Sequence, residues 1–508
     1  MREDVVAPPA LLQYFPYALL LAYFALGVSS LSGGHLWGDD WAQYLMHARN
    51  LAGGQPYGAT GYMFNPDAPN VGPPSYPPGL PLLLAPVIAL FGLKLALLKA
   101  VCFACLVAAL PVWFRLLRVP AGAATAFVAT ALFALHDQVW ALRDVVVSET
   151  PYILFSALAL WYATRERPHP VGPGPQVLEG VVLGVLTYAS VACRSLGVSL
   201  LLALLVYGWA QRRSMGWFLS LIAAFSLLVG MQHVLVVVPP TYSNELKIPT
   251  PGLLLENAKG YWMSLGHLFR LPFGLGKVTS TVVIALAMVG AWSLCRTLRP
   301  DERSGRGVRN LAARVPLSLW YLGAYLGALT LAAIAPGERY LLPVLPVVIA
   351  LAAAGVCTLA GLVPAARRYA LPAAVAIAFY YVVLHASVPR TRADAMATCE
   401  ACEELYAFVR TQTAPDAVIA FAKPRAMALM GERASWMWSV DYSPNELRTG
   451  LRGAGATVLV VVAPETALAE KYPAALDFAG IAEKTGSEVL FQNRMFTVFR
   501  LGERAGGH

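Results

Sequence analysis

Long runs of apolar residues restrict this chain more than any other feature of its sequence. The first covers residues 11–31, and comparable runs recur at short intervals as far as residue 385. A helix needs about 20 apolar residues to cross the hydrocarbon core of a bilayer. Only 13% of the residues are charged, against about 25% in an ordinary soluble protein, and the mean hydropathy is +0.58. The sequence therefore predicts a polytopic α-helical membrane protein.

The apolar runs predict about eleven transmembrane helices with amphipathic helices beside the membrane. Residues 81–91 are apolar but too few to cross, so we expect an interfacial or re-entrant helix. The first run has a mixed-charge flank and no small-residue cleavage site, which indicates a retained helix rather than a signal peptide.

Arginines set the predicted orientation. They cluster in every second loop, at Arg115/Arg118, Arg165/Arg167, Arg212/Arg213, residues 296–314 and Arg367/Arg368. We expect the protein in the cytoplasmic (inner) membrane of the cell. The positive-inside rule then places these loops and the N-terminus in the cytoplasm and the C-terminus outside. The net charge of +9 then reflects topology, and we expect membrane lipids rather than nucleic acid as partners.

Near residue 389 the composition changes to short alternating strand and helix patterns. They include an apolar strand at residues 456–462 and a hairpin-like pair at 488–492 and 495–499. We therefore divide the chain into a membrane domain, residues 1–388, and a small soluble α/β domain, residues 389–508. The tail carries no phosphate-binding glycine motif. Its Cys399-x-x-Cys402 spacing allows a local disulfide or unpaired thiols.

The first long polar segment, residues 36–81, carries the strongest functional signal. Asp39 and Asp40 follow the first apolar run, and a charge at the membrane rim is costly unless it is solvated or used. Residues 40–52 have the apolar spacing of an amphipathic helix that packs on the membrane or on a neighbouring helix. Asp39 also fits the cap of this helix.

Further charged residues fall on the predicted outer side, where topology requires no arginine. Arg194 and Arg339 are the main candidates for binding an anion there, and Arg143 is a third. Arg143 and Arg194 also fit arginines that reach lipid headgroups, and Arg339 fits a partner of the adjacent Glu338. Glu149 stands at a predicted helix start, where a carboxylate can also serve as a cap.

Several short motifs occur along residues ~10 to ~390, the polytopic portion. They are Asp40-x-x-x-Tyr44-x-x-x-Ala48-Arg49-Asn50-Leu51, Tyr76-Pro77-Pro78-Gly79, Ser148-Glu149-Thr150-Pro151-Tyr152, Cys193-Arg194-Ser195-Leu196-Gly197 and Glu338-Arg339-Tyr340-Leu341-Leu342-Pro343. In this order they resemble bacterial relatives of the dolichyl-phosphate-mannose protein mannosyltransferases. That group includes the lipid A aminoarabinose transferases, and both are membrane glycosyltransferases of the GT-C fold.

The resemblance implies transfer of a sugar, with inversion, from a polyprenyl-phosphate donor to an acceptor hydroxyl on the outer face of the cytoplasmic membrane. Asp40 or Asp39 would be the general base. The family often has Asp-Glu where this chain has Asp40-Trp41, which leaves the choice between the two aspartates open. The acceptor would be a glycan, a lipid or a protein.

The other implied roles complete the predicted site. Arg194, Arg339 and Arg143 would bind the donor phosphate. Glu149 would orient the sugar or acceptor, or anchor an arginine. We expect the same pocket to include Tyr44, His47, Tyr76 and Tyr340. His47 equally fits a packed histidine, and Tyr76-Pro77-Pro78 a rigid turn into a helix.

We expect no cofactor, because the resemblance is to the branch that needs none. A divalent metal held by Asp39, Asp40 and Glu149 is the alternative, as in the oligosaccharyltransferase-like members of the fold. Two other functions stay open. One is a transporter or flippase of lipid-linked sugars, although the sequence shows no inverted repeat. The other is a non-catalytic scaffold that presents the tail domain.

Overall fold

A computed structural model describes most of the chain. The described residues are 10–68, 71–165, 173–236, 250–269, 276–297, 308–332, 336–362, 372–373, 375–383, 396–439, 442–466 and 488–501. Several predicted features lie outside them: Arg167, Arg367, Arg368, the polar residues 239–249 and most of a helix expected at 465–472.

Helices form the larger part of the molecule. In chain order they are α1 Ala10–Ser29, α2 Asp40–Ala52, α3 Gly79–Phe91, α4 Leu95–Ala121, α5 Ala123–Leu135, α6 Asp137–Ala141, α7 Glu149–Thr164, α8 Pro173–Cys193, α9 Val198–Ala210, α10 Met215–Leu235, α11 Pro251–Leu268, α12 Gly276–Thr297, α13 Val308–Ala312, α14 Leu317–Leu331 and α15 Leu345–Leu362. Short 3₁₀ turns occupy Leu142–Asp144, Ser195–Gly197 and Glu338–Val344. Residues 375–383 are also helical.

Five helices of the described residues are long and apolar enough to cross a membrane. They span Leu95–Ala121, Gly174–Cys193, Met215–Leu235, Lys277–Arg296 and Glu338–Leu362, and a sixth is added if α5 and the segment after it, bent by 55°, form one span. The predicted count of eleven stays a prediction, because other apolar runs form helices shorter than 18 residues or extend beyond the described residues.

The buried centre of the bundle surrounds α7. Tyr152, Ile153, Ala157 and Leu160 of this helix are fully buried and belong to the largest apolar cluster, which also draws on α4, α5, α9, α14 and α15. Because α7 is enclosed along its length, its first residue, Glu149, is buried as well. A carboxylate is thus held at one end of an apolar bundle.

A mixed sheet covers this end of the bundle. Its strands are β1 Tyr62–Met63, β2 Val418–Ala420, β3 Ala434–Trp436, β4 Ala456–Val462, β5 Glu488–Gln492 and β6 Phe496–Arg500, in the order β1-β3-β2-β4-β6-β5. The first four are parallel, and β6 runs antiparallel to both β4 and β5. The predicted tail strands and hairpin are confirmed. With α16 Glu400–Gln412, α17 Pro424–Gly431 and α18 Pro444–Gly453, residues 396–501 form what we call the C-terminal unit.

One strand of this sheet comes from the other end of the sequence. β1 follows α2 and pairs with β3, with Tyr62 opposite Ser435. The indole of Trp37 also packs against the rings of Phe421 and Phe496. We call residues 36–81 the rim segment. The rim segment and the C-terminal unit therefore share a sheet and an apolar core, although the sequence boundary near residue 389 separates them.

The Cys399-x-x-Cys402 pair, which the sequence leaves open, forms a disulfide with a Cα–Cα distance of 5.0 Å. The Cys399 sulfur also accepts a hydrogen bond from the Cys402 backbone amide at the start of α16.

Candidate active site

Asp40 begins α2, the helix of the rim segment. Most residues of α2 are buried, since it packs against α3 on one side and α17 on another. The amphipathic pattern allowed α2 to pack either on the membrane or on a neighbouring helix, and the structure shows it packed on neighbouring helices. This enclosure determines where the Asp40 carboxylate points.

The Asp40 carboxylate is held through both of its oxygens. The Tyr76 hydroxyl donates to Oδ1 at 2.6 Å, and Nη1 of Arg425 lies 3.4 Å from the same oxygen. Nη1 of Arg339 lies 2.9 Å from Oδ2. The Asp40 side chain is 32% exposed, so it can still be reached from outside the protein.

A chain of ion pairs extends from Asp40 into the bundle. The guanidinium of Arg339 also contacts Oε1 of Glu149, and Nη1 of Arg194 lies 2.6 Å from that oxygen. The two inner members are the more buried, with Glu149 0% and Arg194 11% exposed against 42% for Arg339. A buried carboxylate is stable only when it is paired, so the two guanidinium groups and Glu149 stabilise one another. Arg339 is the more accessible of the two cations.

The surroundings shift the pKa values of the two aspartates in opposite directions. Burial alone would raise the pKa of Asp40, but the guanidinium groups of Arg339 and Arg425 and the Tyr76 hydrogen bond lower it to about 2. Burial raises the pKa of Asp39 in spite of the nearby cations of Lys423 and Arg425. Asp40 is therefore the more readily ionised carboxyl of the pair.

Asp39 caps a helix, though a different one from that expected. It makes no side-chain capping bond to α2. Its carboxylate instead accepts hydrogen bonds from the backbone amides of Arg425 (3.3 Å) and Ala426 (3.2 Å), in the first turn of α17. Both of its oxygens thus join the rim segment to the C-terminal unit, which gives Asp39 a structural role.

Three of the predicted aromatic residues lie beside the ion pairs. Tyr76 stacks on Tyr44 with ring centroids 4.9 Å apart, and the Tyr44 hydroxyl donates to Ser148 Oγ at 2.8 Å. The guanidinium of Arg194 lies over the ring of Tyr340, 5.4 Å from its centroid.

His47 is a buried support and does not contact Asp40. Its Nδ1 lies 2.8 Å from the Tyr57 carbonyl, and its Nε2 accepts a hydrogen bond from the Tyr76 amide at 3.2 Å. Burial lowers the pKa of His47 to about 4, which keeps the ring neutral. His47 therefore holds the backbone of Tyr76 in place, which agrees with the alternative interpretation of His47 as a packed histidine.

Gly79, at the end of the Tyr-Pro-Pro-Gly motif, lets α3 approach the end of α8. A Cβ at this position would lie 2.6 Å from the Ala192 carbonyl carbon and 2.7 Å from the Cys193 amide nitrogen. Arg194 follows directly in the chain. The motif therefore does more than turn the chain, since it allows the Tyr76 and Arg194 segments to come together.

Arg143 lies apart from the ion pairs. Its Nε donates to Ser30 Oγ at 3.0 Å, its Nη1 donates to the Trp140 carbonyl at 3.1 Å, and its guanidinium stacks on the Trp140 ring. No ion pair between described residues connects it to Asp40 or Glu149. The predicted role of Arg143 in phosphate binding gains no support from this geometry.

Sequence reasoning missed Arg425 and Lys99. Arg425 is fully buried beside Asp40. It lies in the tail segment Lys423-Pro424-Arg425, and no local pattern pairs a tail residue with residue 40. Lys99 is a buried cation of α4 that pairs with Asp144 at 2.8 Å and donates to the Ser32 carbonyl. It stabilises the loop that leads to the two aspartates.

In the described part of the chain, no three or more His, Cys, Asp and Glu residues are grouped to hold a metal ion. Both oxygens of Asp40 and Oε1 of Glu149 contact guanidinium groups, and both oxygens of Asp39 accept hydrogen bonds from backbone amides.

The fold and the site together define a polytopic membrane protein with a charged cluster at one end of its helix bundle, covered by a sheet domain. We use "charged cluster" for Asp40, Glu149, Arg194, Arg339 and Arg425.

Comparison with solved structures identifies the fold. ArnT from Cupriavidus metallidurans in the apo state is 13% identical with a TM-score of 0.53, and the match covers 98% of this chain and 99% of that one. The same protein bound to undecaprenyl phosphate is 13% identical with a TM-score of 0.52, and the match covers 97% of this chain and 99% of that one. The oligosaccharyltransferase AglB from Archaeoglobus fulgidus, in complex with an inhibitory peptide and a dolichol-phosphate, is 11% identical with a TM-score of 0.56. That match covers 98% of this chain and 75% of the other. The chain therefore has the GT-C fold. No protein-family model and no curated protein matches the sequence.

Proposed function

We propose that this protein transfers a sugar from a polyprenyl-phosphate donor to an acceptor hydroxyl, with inversion, on the outer face of the cytoplasmic membrane. The observation that carries the proposal is the ion-paired chain Asp40–Arg339–Glu149–Arg194, which joins a reachable carboxylate to two guanidinium groups within a GT-C fold. In the proposed orientation the N-terminus is cytoplasmic and the C-terminal unit lies outside.

Asp40 acts as the general base. As the acceptor oxygen bonds to the anomeric carbon, Asp40 takes the hydroxyl proton, and the electron pair of the broken glycosidic bond passes to the donor phosphate. Of its two oxygens, Oδ2 is the one whose partner is the accessible Arg339. A phosphate that competes for the guanidinium of Arg339 releases this oxygen for the acceptor.

Arg339 and Arg194 bind the donor phosphate. Guanidinium groups bind phosphate through paired hydrogen bonds, and fixed cations stabilise the charge that grows on the leaving phosphate. Glu149 contacts both arginines from the buried side, so its proposed role is to anchor them. That is one of the two roles that the sequence allowed.

The solved relatives support a polyprenyl-phosphate carrier, because ArnT was solved with undecaprenyl phosphate and AglB with a dolichol-phosphate. The acceptor is a glycan, a lipid or a protein. No cofactor enters the proposed reaction, and membrane lipids surround the bundle.

Binding tests the proposal first. The purified protein in nanodiscs is titrated with undecaprenyl phosphate and, separately, with undecaprenol, which lacks the phosphate. We expect undecaprenyl phosphate, but not undecaprenol, to raise the melting temperature of the wild type. The Arg194→Gln and Arg339→Gln variants should lose this stabilisation. Arg213→Gln is the matched control, because Arg213 also pairs with a buried glutamate, Glu179, at 3.5 Å. Equal responses to both lipids would contradict the proposal.

Turnover tests it second. A panel of undecaprenyl-phosphate hexoses and pentoses is incubated with the protein and a membrane extract as the source of acceptor. Release of undecaprenyl phosphate, measured by mass spectrometry, is the expected result. Movement of the intact donor across proteoliposomes without cleavage would support the flippase. Unchanged behaviour of Asp40→Asn and Arg194→Gln would support the scaffold.

A further inference from the structure

We propose that Arg425, which comes from the C-terminal unit, is a positioning residue for Asp40. It holds Oδ1 of the carboxylate, directly and through Tyr76, so that Oδ2 is left to receive the acceptor proton. This inference rests on the proposed function and adds to it that the C-terminal unit completes the site.

The contacts of Arg425 all point away from its own domain. Its Nη1 donates to the Tyr76 hydroxyl at 2.7 Å and lies 3.4 Å from Asp40 Oδ1, and its Nη2 donates to the Pro73 carbonyl at 2.9 Å. The guanidinium lies 4.8 Å from the ring centroids of both Tyr62 and Tyr76. Each of these partners belongs to the rim segment.

The rim segment is shaped around this guanidinium. Gly72 has a φ of +94°, and a Cβ there would lie 2.6 Å from Arg425 Nη2 and 3.0 Å from the Tyr76 hydroxyl. A side chain at residue 72 would therefore both strain the backbone and displace the arginine. Burying an arginine is costly unless it is paired and hydrogen-bonded. The burial is explained by what the guanidinium holds, and that is Asp40 and Tyr76.

The two sides of the Asp40 carboxylate differ in a way that suits proton transfer. Oδ1 receives the Tyr76 hydroxyl and the fully buried Arg425, whereas Oδ2 receives the 42% exposed Arg339. A phosphate ligand can reach Arg339 more easily than Arg425. When Arg339 turns to the phosphate, the buried contacts keep the carboxylate in place and Oδ2 becomes available.

Two substitutions separate geometry from charge. Arg425→Lys keeps the charge but lacks the planar fork that reaches Pro73 and Tyr76 together. We expect kcat to fall about 10-fold, because a small misplacement of a reacting group is costly. The KM for the donor and the acidic limb of the kcat profile should stay unchanged.

Arg425→Met removes the charge as well. We expect kcat to fall about 100-fold and the acidic limb of kcat to move to higher pH by about 1 unit, since a neighbouring cation lowers a carboxyl pKa by about 1–3 units. The other groups near Asp40 are Arg339, Tyr76, Tyr340, Asp39 and Glu149, and none of these is substituted in the variant, although Tyr76 and Asp39 also lose the neighbouring cation.

The assay is the release of undecaprenyl phosphate from the donor that the wild type uses, with the full chain in nanodiscs. Arg433→Met is the matched control, because Arg433 is a C-terminal-unit arginine that binds the Arg410 and Thr413 carbonyls. It should leave kcat and the pH profile as in the wild type. Tyr76→Phe, which keeps the stacked ring, covers the case in which Arg425 variants do not fold, and should lower kcat at unchanged KM.

The outcomes separate the two proposals. If the wild type releases no carrier phosphate from any donor, the proposed function fails and this inference with it. If the wild type is active, a wild-type kcat and pH profile in folded Arg425→Met overturns the inference alone. A loss confined to KM does the same, and so does wild-type behaviour of Tyr76→Phe when the Arg425 variants do not fold.

Discussion

Nη1 of Arg339 lies 2.9 Å from Oδ2 of Asp40, although the two residues stand at opposite ends of the membrane portion of the sequence. The contact places a cation on the oxygen that would accept a proton. Arg339 is also tied to the buried Glu149, so it has two carboxylate partners and one exposed side. A phosphate would compete with the carboxylates for this guanidinium, so a bound phosphate can replace Asp40 as the partner of Arg339.

Removing the proposed base should abolish transfer. We expect Asp40→Asn to lower kcat by at least about 100-fold, because an amide cannot take the acceptor proton. The release of undecaprenyl phosphate measures this. Asp39→Asn should retain most of its activity and lose about 1 kcal/mol of stability, because its side-chain amide has one acceptor oxygen where the carboxylate accepts from two backbone amides. The reverse pattern, with Asp39 essential and Asp40 dispensable, would exchange their roles.

Glu149 should be needed for the stability of the site. Glu149→Gln leaves two guanidinium groups without their buried carboxylate, and breaking such a pair costs about 3–5 kcal/mol. We expect a lower melting temperature in detergent and weaker binding of undecaprenyl phosphate. Glu179→Gln, which removes the buried carboxylate partner of Arg213, should lower stability without affecting phosphate binding. Full phosphate affinity in Glu149→Gln would show that it does not anchor the arginines.

Gly79→Ala tests the junction of α3 with α8. The added methyl group would meet the Ala192 carbonyl carbon at 2.6 Å, and backbone cannot move aside as a side chain can. Overpacking typically costs about 1–3 kcal/mol. We expect a lower melting temperature and slower transfer, because Arg194 shifts with its backbone. Gly53→Ala, where the nearest atom is 3.4 Å away, is the control. Wild-type turnover in Gly79→Ala would show that the close approach of α3 and α8 is not needed for transfer.

The acid limbs of the two kinetic parameters should differ. The kcat/KM profile reports the free enzyme, in which the pKa of Asp40 is about 2. Protonation of Asp40 should therefore not lower kcat/KM until the pH falls well below about 4. The kcat profile reports the complex, where Arg339 has turned to the phosphate, so its limb should lie at higher pH. Coincident limbs would mean that Arg339 does not leave Asp40.

The same lowered pKa makes a stability prediction. An ionised Asp40 stabilises the folded protein above its unfolded pKa of about 3.9, and this contribution is lost as the pH falls through about 2. Asp40→Asn should reduce that part of the acid dependence in a thermal melting series. An unchanged series would mean that the ion pairs of Asp40 contribute little.

Transfer should persist in excess EDTA. Both oxygens of Asp40 and Oε1 of Glu149 already contact guanidinium groups, so a cation between them would meet the positive charges of the arginines. Turnover of the wild type with EDTA, and with added Mg²⁺ or Mn²⁺, measures this. Loss of activity in EDTA that a divalent ion restores would support the metal-dependent alternative.

Much of the site could be chosen from the sequence, because rim charges are conspicuous against apolar runs. This criterion selects Asp40, Glu149, Arg194 and Arg339, and the structure brings them into one chain of contacts. Arg143 met the same criterion but lies against Ser30 and Trp140. Polarity and side of the membrane do not tell which arginines meet, since that depends on how the helix ends are packed.

The sequence by itself determined a polytopic helical membrane protein and most strands of the C-terminal sheet, because the length of an apolar run and the period of a strand are local properties. Only the tertiary structure decided that Asp39 caps α17, that β1 joins the sheet of the tail, and that Arg425 reaches Asp40. These relations join residues from the two ends of the chain. They follow from packing and from the pairing of buried charges, which no local pattern in the sequence encodes.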